Sequence, residues 1–196
     1  MKSVYNFVVK PKGERYNNTK KLGGKELILN TEIFNHQYVN REAVVISTPL
    51  IGNTDIKIGD TVIVHHNVFR RWHNVKGIEK NSRSFFNEST YFINQDQIFL
   101  YKRDKEWIPP KGYCFVKPLK AIDKFNIESE KPLQGIVKYS DGTVEENSLV
   151  GFRPNSEYEF IVDGERLYRV LSNLITIKYE YQGNEEAYNP SWAQSS

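Results

Sequence analysis

The chain has 196 residues, of which 39% are hydrophobic and 26% charged, and its formal net charge is +3. This composition is typical of a globular protein and excludes a disordered or fibrous chain. The net charge is too small to indicate nucleic-acid binding by itself, because such domains carry a strong basic surplus. The single cysteine, Cys114, cannot form an internal disulfide, which favours a reducing compartment.

No apolar stretch is long enough to cross a bilayer, and no signal-peptide core follows the first residues. We therefore expect a cytoplasmic protein that makes no membrane contact.

Short apolar runs rich in β-branched and aromatic residues recur along the chain, at 43–46, 61–64 and 98–101 among other places. Such runs, separated by turn signals, predict strands. The sharpest turn signal is the Asp163-Gly164 pair, because Asp-Gly readily takes the positive φ angles of a two-residue hairpin. No window sustains a helical period. The sequence therefore predicts an all-β fold.

The order of these runs is repeated along the chain. The tripeptide Val-Lys-Pro at 9–11 returns at 116–118. Three further segments, 43–46, 56–64 and 91–100, correspond in the same order to 135–138, 144–152 and 168–177. The chain is thus expected to contain two tandem units.

We place the first unit at 1–104 and the second at 113–183. The connector at 105–112 contains two prolines, which remove ladder donors and favour an extended linker. The polar tail at 184–196 lies beyond the last predicted strand, so disorder is expected there. Its aromatic residue Trp192 could anchor onto a neighbouring subunit.

Four segments carry a more specific pattern. Segment 7–11 ends in a Lys-Pro step, 19–29 joins a glycine pair to an aliphatic run, 56–64 places a Gly-Asp turn before a core strand, and 91–101 is a closing strand pair. This order resembles the GroES family of co-chaperonins. The resemblance implies two tandem GroES-like small β-barrels with hairpin excursions.

In that family, a mobile loop after the first strand docks onto the chaperonin. The matching residues here are Gly23, Gly24, Leu27, Ile28 and Leu29. Glycines loosen such a loop, and its aliphatic tip can enter an apolar groove on a partner. The alternative interpretation is that the aliphatic run is an ordinary strand of the barrel.

The resemblance implies a ring of identical chains that caps a GroEL-like chaperonin and helps to enclose a client protein, without a cofactor of its own. The second unit matches less well, because Asn147-Ser148 replaces the Gly-Asp step and the loop at 119–132 lacks the glycine pair. The number of subunits is open. The long excursion between Val64 and Tyr91 would suit a modified dome or an unusual client such as a viral capsid protein, and hence a phage-encoded form.

Basic and aromatic residues alternate within that excursion, including Arg70, Arg71, Trp72, Phe85 and Phe86. In the co-chaperonin family, an excursion at this place forms part of the roof of the dome. Single-stranded nucleic-acid binders interleave the same residue types. We favour the roof hairpin over a nucleic-acid-binding barrel, because the net charge is low.

No recognisable catalytic motif, phosphate-binding glycine loop or paired carboxylate motif is present, so we expect no enzymatic activity. His65, His66 and His73 invite a metal interpretation, but adjacent strand residues point to opposite faces and no further ligand completes a site. A second hypothesis for the whole chain is a structural or virion assembly protein built on the same barrels.

Overall fold

The computed structural model describes residues 2–16, 19–22, 25–28, 39–121, 130–180 and 183–194, with the backbone alone at 19–22, 25–28, 192 and 194. It is an all-β chain of antiparallel sheets, as the apolar pattern predicts. The chain divides into two compact units, Met1–Trp107 and Ile108–Ser196. Among the described residues, no helix has the length and apolar character that a membrane span requires.

The first unit contains a seven-stranded sheet and two separate two-stranded hairpins. Its strands are β1 (Phe7–Pro11), β2 (Thr19–Leu22), β3 (Lys25–Ile28), β4 (Glu42–Ser47), β5 (Thr61–Val64), β6 (Arg71–His73), β7 (Glu79–Asn81), β8 (Phe85–Asn87), β9 (Thr90–Ile93), β10 (Ile98–Arg103) and β11 (Glu106–Ile108). The seven-stranded sheet has the order β11-β10-β5-β4-β1-β9-β8, and the hairpins are β2-β3 and β6-β7.

The second unit contains one six-stranded sheet in the order β15-β16-β12-β13-β14-β17. Its strands are β12 (Tyr113–Lys120), β13 (Glu130–Tyr139), β14 (Leu149–Phe152), β15 (Tyr158–Val162), β16 (Glu165–Leu171) and β17 (Ile175–Lys178), and a short helix, α1 (Ser191–Gln194), follows. The Asp163-Gly164 pair makes the turn between β15 and β16, with positive φ at both residues, as predicted.

The two sheets have the same strand order. The strands β8-β9-β1-β4-β5-β10 of the first sheet correspond, in this order, to β15-β16-β12-β13-β14-β17 of the second sheet. The members of each corresponding pair also have the same place in the chain order of their units. A short 3-10 helix precedes the last matched strand in both, at Gln95–Gln97 and Ser172–Leu174. The seventh strand of the first sheet, β11, has no counterpart in the described part of the second unit.

The correspondence extends to individual residues. Val9, Lys10 and Pro11 pair with 45, 44 and 43, and the second Val-Lys-Pro, 116–118, pairs with 137, 136 and 135. In both ladders a bulge immediately precedes the valine. A second bulge recurs at the last matched strand, where Ile98 pairs with Val64 and Ile175 with Phe152. Bulges bend a sheet at a defined point, so both units bend at matching places.

Each unit buries its own apolar face. In the first unit the largest fully buried side chains include Phe7, Phe69, Tyr91, Ile93 and Ile98. In the second unit a cluster lies on neighbouring strands, formed by Val116, Val137, Val150, Phe152 and Val170. In the second unit, alternation along neighbouring strands brings these side chains together on one face of the sheet.

Among the described residues, no ladder joins the first and last strands of either sheet. The described strand pairings therefore close neither sheet into a barrel. Closure into two small barrels therefore stays a prediction. The coarser prediction of an all-β, antiparallel fold is confirmed.

The predicted linker begins as sheet. Glu106–Ile108 is the edge strand β11, and Trp107 at its centre is buried with the ammonium group of Lys102 4.8 Å from its ring centroid. The apolar area of Trp107 explains why this segment packs onto the first unit and does not run free.

The predicted disordered tail is also ordered over residues 183–194. Strand β16 pairs with β12 only as far as Val116. Beyond that point, backbone groups of β12 form hydrogen bonds with the tail. The N–H of Tyr188 donates to the carbonyl of Pro118 (2.7 Å), and the N–H of Lys120 donates to Glu186 (2.8 Å). Buried backbone groups need such partners, which explains the docking. The side chain of Trp192 lies outside the described residues.

Candidate functional site

The segment with the predicted docking loop forms a hairpin apart from the main sheet. Strand β2 pairs with β3, and Leu22 lies opposite Lys25. The two residues between the strands are therefore the glycine pair. Within the described chain this hairpin has no ladder to the seven-stranded sheet.

The loop residues themselves fall mostly beyond what can be described. Gly23, Gly24 and Leu29 lie outside the described residues, and only the backbone is described for Leu27 and Ile28. The backbone of 25–28 is a strand, in line with the alternative interpretation, but one of a separate hairpin. The hairpin is inserted between β1 and β4, two neighbours in the main sheet.

The excursion between β5 and β9 is held to the first unit by Arg15, which is 8% exposed. Its guanidinium donates to the carbonyl of Phe69 (3.1 Å from Nη2), to Asn81 Oδ1 (2.7 Å) and to Glu88 Oε2 (3.2 Å). It also lies over the ring of Phe85, 5.3 Å from the centroid. One side chain thus ties together three parts of the excursion.

Tyr16 makes a second attachment next to the first. Its hydroxyl accepts a hydrogen bond from the backbone N–H of Arg71 (2.7 Å), and the Arg71 guanidinium lies 5.1 Å from the centroid of the tyrosine ring. Arg71 also forms an ion pair with Glu79 across the β6-β7 hairpin (3.4 Å). The root of the hairpin is therefore fixed on the body of the unit.

A cleft of about 650 Å³ opens at the base of this hairpin. Its described lining combines two arginines, one tryptophan and uncharged polar residues, and contains no carboxylate: Asn67, Arg70, Trp72, Ser82, Arg83, Ser84 and Gln97. Ser82 is held by its own hydrogen bond to the carbonyl of Val68 (2.6 Å).

The structure thus separates the five predicted roof residues. Arg70 and Trp72 line the cleft, whereas Arg71 faces Tyr16 and Glu79. Phe85 lies beneath Arg15, and its ring also contacts Tyr91 edge-on (5.6 Å between centroids).

Phe86 is 57% exposed and packs on Phe92 (5.4 Å between centroids). Only two of the five residues therefore meet in one place.

Tyr91 closes the floor of the excursion. It is fully buried, and burial raises the pKa of its phenol to about 12 in spite of the opposing charge of Arg15. Its hydroxyl has no hydrogen-bond partner among the described residues. The ring meets Phe69 edge-on, with 4.7 Å between centroids.

The Gly-Asp step is a structural turn, as predicted. Gly59 has a φ of +94°, which a residue with a Cβ adopts only with strain. Asp60 is buried, and its Oδ2 accepts from the backbone N–H of Lys57 (2.8 Å) and from Arg103 (2.7 Å). This hydrogen bond raises the pKa of the Arg103 guanidinium above its usual value.

The matching turn in the second unit keeps the geometry with other residues. Asn147 has a φ of +63° and donates its N–H to the carbonyl of Val137 (2.7 Å), as Gly59 does to Val45 (2.8 Å). Asparagine tolerates this conformation better than most residues. The departure from the family pattern at Asn147-Ser148 therefore leaves the fold of the turn unchanged.

The second unit carries its own charged cluster around Arg166. The guanidinium donates to Glu130, to Glu159 Oε2 (2.7 Å) and to the hydroxyl of Tyr168 (2.6 Å), and that hydroxyl donates to Glu130 Oε1 (2.7 Å). The backbone N–H of Arg166 donates to Asn189 in the tail (3.0 Å). These groups satisfy one another, so the cluster stabilises the sheet and the tail.

The part of the chain that the structure describes contains no group of three or more histidine, cysteine, aspartate or glutamate side chains placed to hold a metal ion. His65 and His66 stack on each other with 4.3 Å between ring centroids. Cys114 is buried next to Ser172 (Sγ to Oγ 3.4 Å).

Sequence patterns missed Arg15 and Tyr16. Arg15 and Tyr16 precede the hairpin by more than fifty residues, and no local spacing connects them to it. Arg83 lay within the basic stretch, but only the fold shows that it shares a cleft with Trp72.

No protein-family model matches the chain, and no curated protein matches it in sequence.

Proposed function

We propose that the protein is a co-chaperonin, in which identical chains form a ring, cap an ATP-driven chaperonin and help to enclose a folding client. The observation that carries the proposal is the position of the β2-β3 hairpin. Among the described residues it has no ladder to the main sheet, it is inserted between the first two matched strands, and the sequence places the glycine pair between its two strands.

The repeated strand order supports the same proposal. Two units with one topology and one pattern of bulges present two similar building blocks in a single chain. The finer part of the proposal is that each sheet closes into a small GroES-like barrel. In this scheme the first unit grips the chaperonin and the second mainly builds the ring.

The energetics of docking favour a ring. The aliphatic run of Leu27, Ile28 and Leu29, which begins within β3, would gain about 1.5–3 kcal/mol for each side chain fully buried, before the cost of ordering the segment. One hairpin would therefore bind weakly. Several hairpins tethered on one ring bind together, and such multivalency raises the apparent affinity by about 10² or more.

The test is co-sedimentation of the purified chain with a GroEL-type chaperonin in the presence of ATP, together with the chaperonin's ATPase rate. The native chain should sediment with the chaperonin and change the ATPase rate. The double variant Leu27→Asp with Ile28→Asp should lose both effects, because charged side chains at these positions cannot enter an apolar groove.

Val75→Asp is the matched control. Val75 is fully exposed at the tip of the other hairpin, so the same type of substitution there should leave both readouts unchanged. The proposal is wrong if the native chain neither sediments with the chaperonin nor changes its ATPase rate. Equal losses in the two variants would also contradict it.

A further inference from the structure

We propose that the cleft at the base of the β6-β7 hairpin binds a nucleoside phosphate unit, with its phosphate on Arg70 and Arg83 and its base on Trp72. This inference is independent of chaperonin docking, which involves the other hairpin. The same chemistry occurs in a free nucleotide and in a single-stranded nucleic acid.

The first argument is positive charge that no described carboxylate neutralises. Arg15, Arg71, Arg103 and Arg166 each pair with a carboxylate. Across the described part of the chain, by contrast, neither Arg70 nor Arg83 has a hydrogen bond or an ion pair.

Arg70 is the more telling of the two arginines. Its Nε is shielded from solvent and has no hydrogen-bond partner in the described structure; the Nε atoms of Arg71 and Arg103 share this state, but their guanidinium groups form ion pairs and that of Arg70 forms none there. A buried donor without a partner destabilises the folded protein, so a bound ligand that supplies an acceptor would lower its free energy. The described lining of the cleft contains no carboxylate that could supply the acceptor from within.

The second argument is an available aromatic face. Trp72 is 37% exposed and has no ring or cation contact within the described residues. The other exposed aromatic of the excursion, Phe86, is already packed against Phe92. A free indole face beside two guanidinium groups is the combination with which proteins hold a base and its phosphate.

The third argument is size and polarity. A volume of about 650 Å³ lies within the range of small-molecule sites and exceeds what a bare phosphate ion would need. Asn67, Ser84 and Gln97 add uncharged donors and acceptors of the kind that meet the edge of a base. A planar, hydrogen-bonding anion therefore matches the lining better than an inorganic ion does.

The experiment is a binding titration of the full-length chain, at several salt concentrations, with a fluorescein-labelled ten-residue thymidine oligonucleotide followed by anisotropy. Unlabelled thymidine monophosphate, inorganic pyrophosphate and a phosphoserine peptide serve as competitors. Arg70→Gln with Arg83→Gln should weaken oligonucleotide binding at least tenfold. It should also reduce the salt slope by about 0.7, since both arginines hold one phosphate and each phosphate contact on a single strand contributes about 0.7.

Lys76→Gln with Lys80→Gln is the matched control. These exposed lysines belong to the same hairpin but do not line the cleft, and removing them changes the net charge by the same amount. This variant should change the affinity less than twofold. Trp72→Leu should weaken binding about tenfold by removing the stacking face.

Competition separates the two sources of the ligand. If thymidine monophosphate competes as well as the unlabelled oligonucleotide per phosphate, the ligand is a free nucleotide; if only the oligonucleotide competes, it is a single strand. Both results support the site.

The proposal is overturned if no probe binds, if the arginine and lysine variants lose affinity equally, or if pyrophosphate or the phosphoserine peptide competes better than both nucleotide probes. Arg83→Gln alone is a second variant, because this exposed residue has no partner in the described structure and its loss does not threaten folding. It should weaken binding about threefold or more.

Discussion

The two units of the chain share one frame but differ in what is inserted into it. Residues 12–41 separate β1 from β4, whereas 121–129 separate the matching strands of the second unit. Residues 65–84 stand in the first unit where the second has only 153–157. The comparison teaches that the frame is set by register and bulges, while the surfaces available for binding come from the insertions.

The largest expected effect is at Arg15, which has no counterpart among the described residues of the second unit. Arg15→Leu should lower the free energy of unfolding by about 3 kcal/mol, because the Phe69 carbonyl and Asn81 lose their partner in a buried place. Chemical denaturation followed by circular dichroism measures it. The exposed Arg83, which has no partner among the described residues, is the control, and Arg83→Gln should cost less than about 0.5 kcal/mol.

A result near zero for Arg15→Leu would show that the excursion does not depend on this anchor.

The next effect is expected to differ between two positions that have the same strand register in the two units. Gly135 in β13 corresponds to Ala43 in β4. A Cβ at Gly135 would lie 2.6 Å from the carbonyl oxygen of Lys117, so Gly135→Ala should destabilise the second unit by about 1–3 kcal/mol.

Ala43→Gly, the reverse substitution in the first unit, should cost about 0.5–1 kcal/mol for backbone entropy. Thermal unfolding of both variants tests the pair. If Gly135→Ala is neutral, β12 and β13 do not approach as closely as the structure has them.

A smaller difference is expected at the matched tyrosines, Tyr91 and Tyr168. Tyr168→Phe removes a hydroxyl that bonds both Glu130 and Arg166 and should cost about 1–2 kcal/mol. Tyr91→Phe removes a buried hydroxyl without a partner among the described residues, and its effect should lie within about 0.5 kcal/mol of zero. Urea unfolding at pH 8 distinguishes them; a larger loss at Tyr91 would reverse the comparison.

The smallest effect appears only in alkali. The folded state raises the pKa of Tyr91 to about 12, whereas an unfolded tyrosine ionises near pH 10. The contribution of this group is therefore complete below pH 10 and is lost as the pH rises towards 12.

Tyr91→Phe should reduce the loss of stability between pH 8 and pH 11, as measured by urea midpoints. An unchanged loss would mean that the phenol is not shielded from water in the native state.

The frame of each unit could be predicted from the sequence, because repeated Val-Lys-Pro steps, turn residues and apolar runs are local signals. Gly59 and Asn147 occupy matching turns, as their alignment indicates. Long-range contacts left no such signal. Arg15 contacts residues more than fifty positions away, and the docking of 186–188 depends on the pairing of β12 with β16, which ends at Val116.

The candidate sites were predicted in part for the same reason. Composition pointed to Arg70 and Trp72, but it could not tell them from Arg71, which the fold commits to Tyr16. The glycine pair, a local signal, marked the segment that forms the β2-β3 hairpin, although the sequence predicted a loop there. The strand on its far side, β2, contains no apolar run that would have revealed it.

The central claim is that the first unit grips a chaperonin while the chains form a ring. Electron micrographs of the purified protein mixed with a GroEL-type chaperonin and ATP test it most directly. We predict a dome on the end of the chaperonin cylinder, absent when Leu27 and Ile28 are both replaced by aspartate and present with Val75→Asp. Bare cylinders beside free, unassembled chains would contradict the claim.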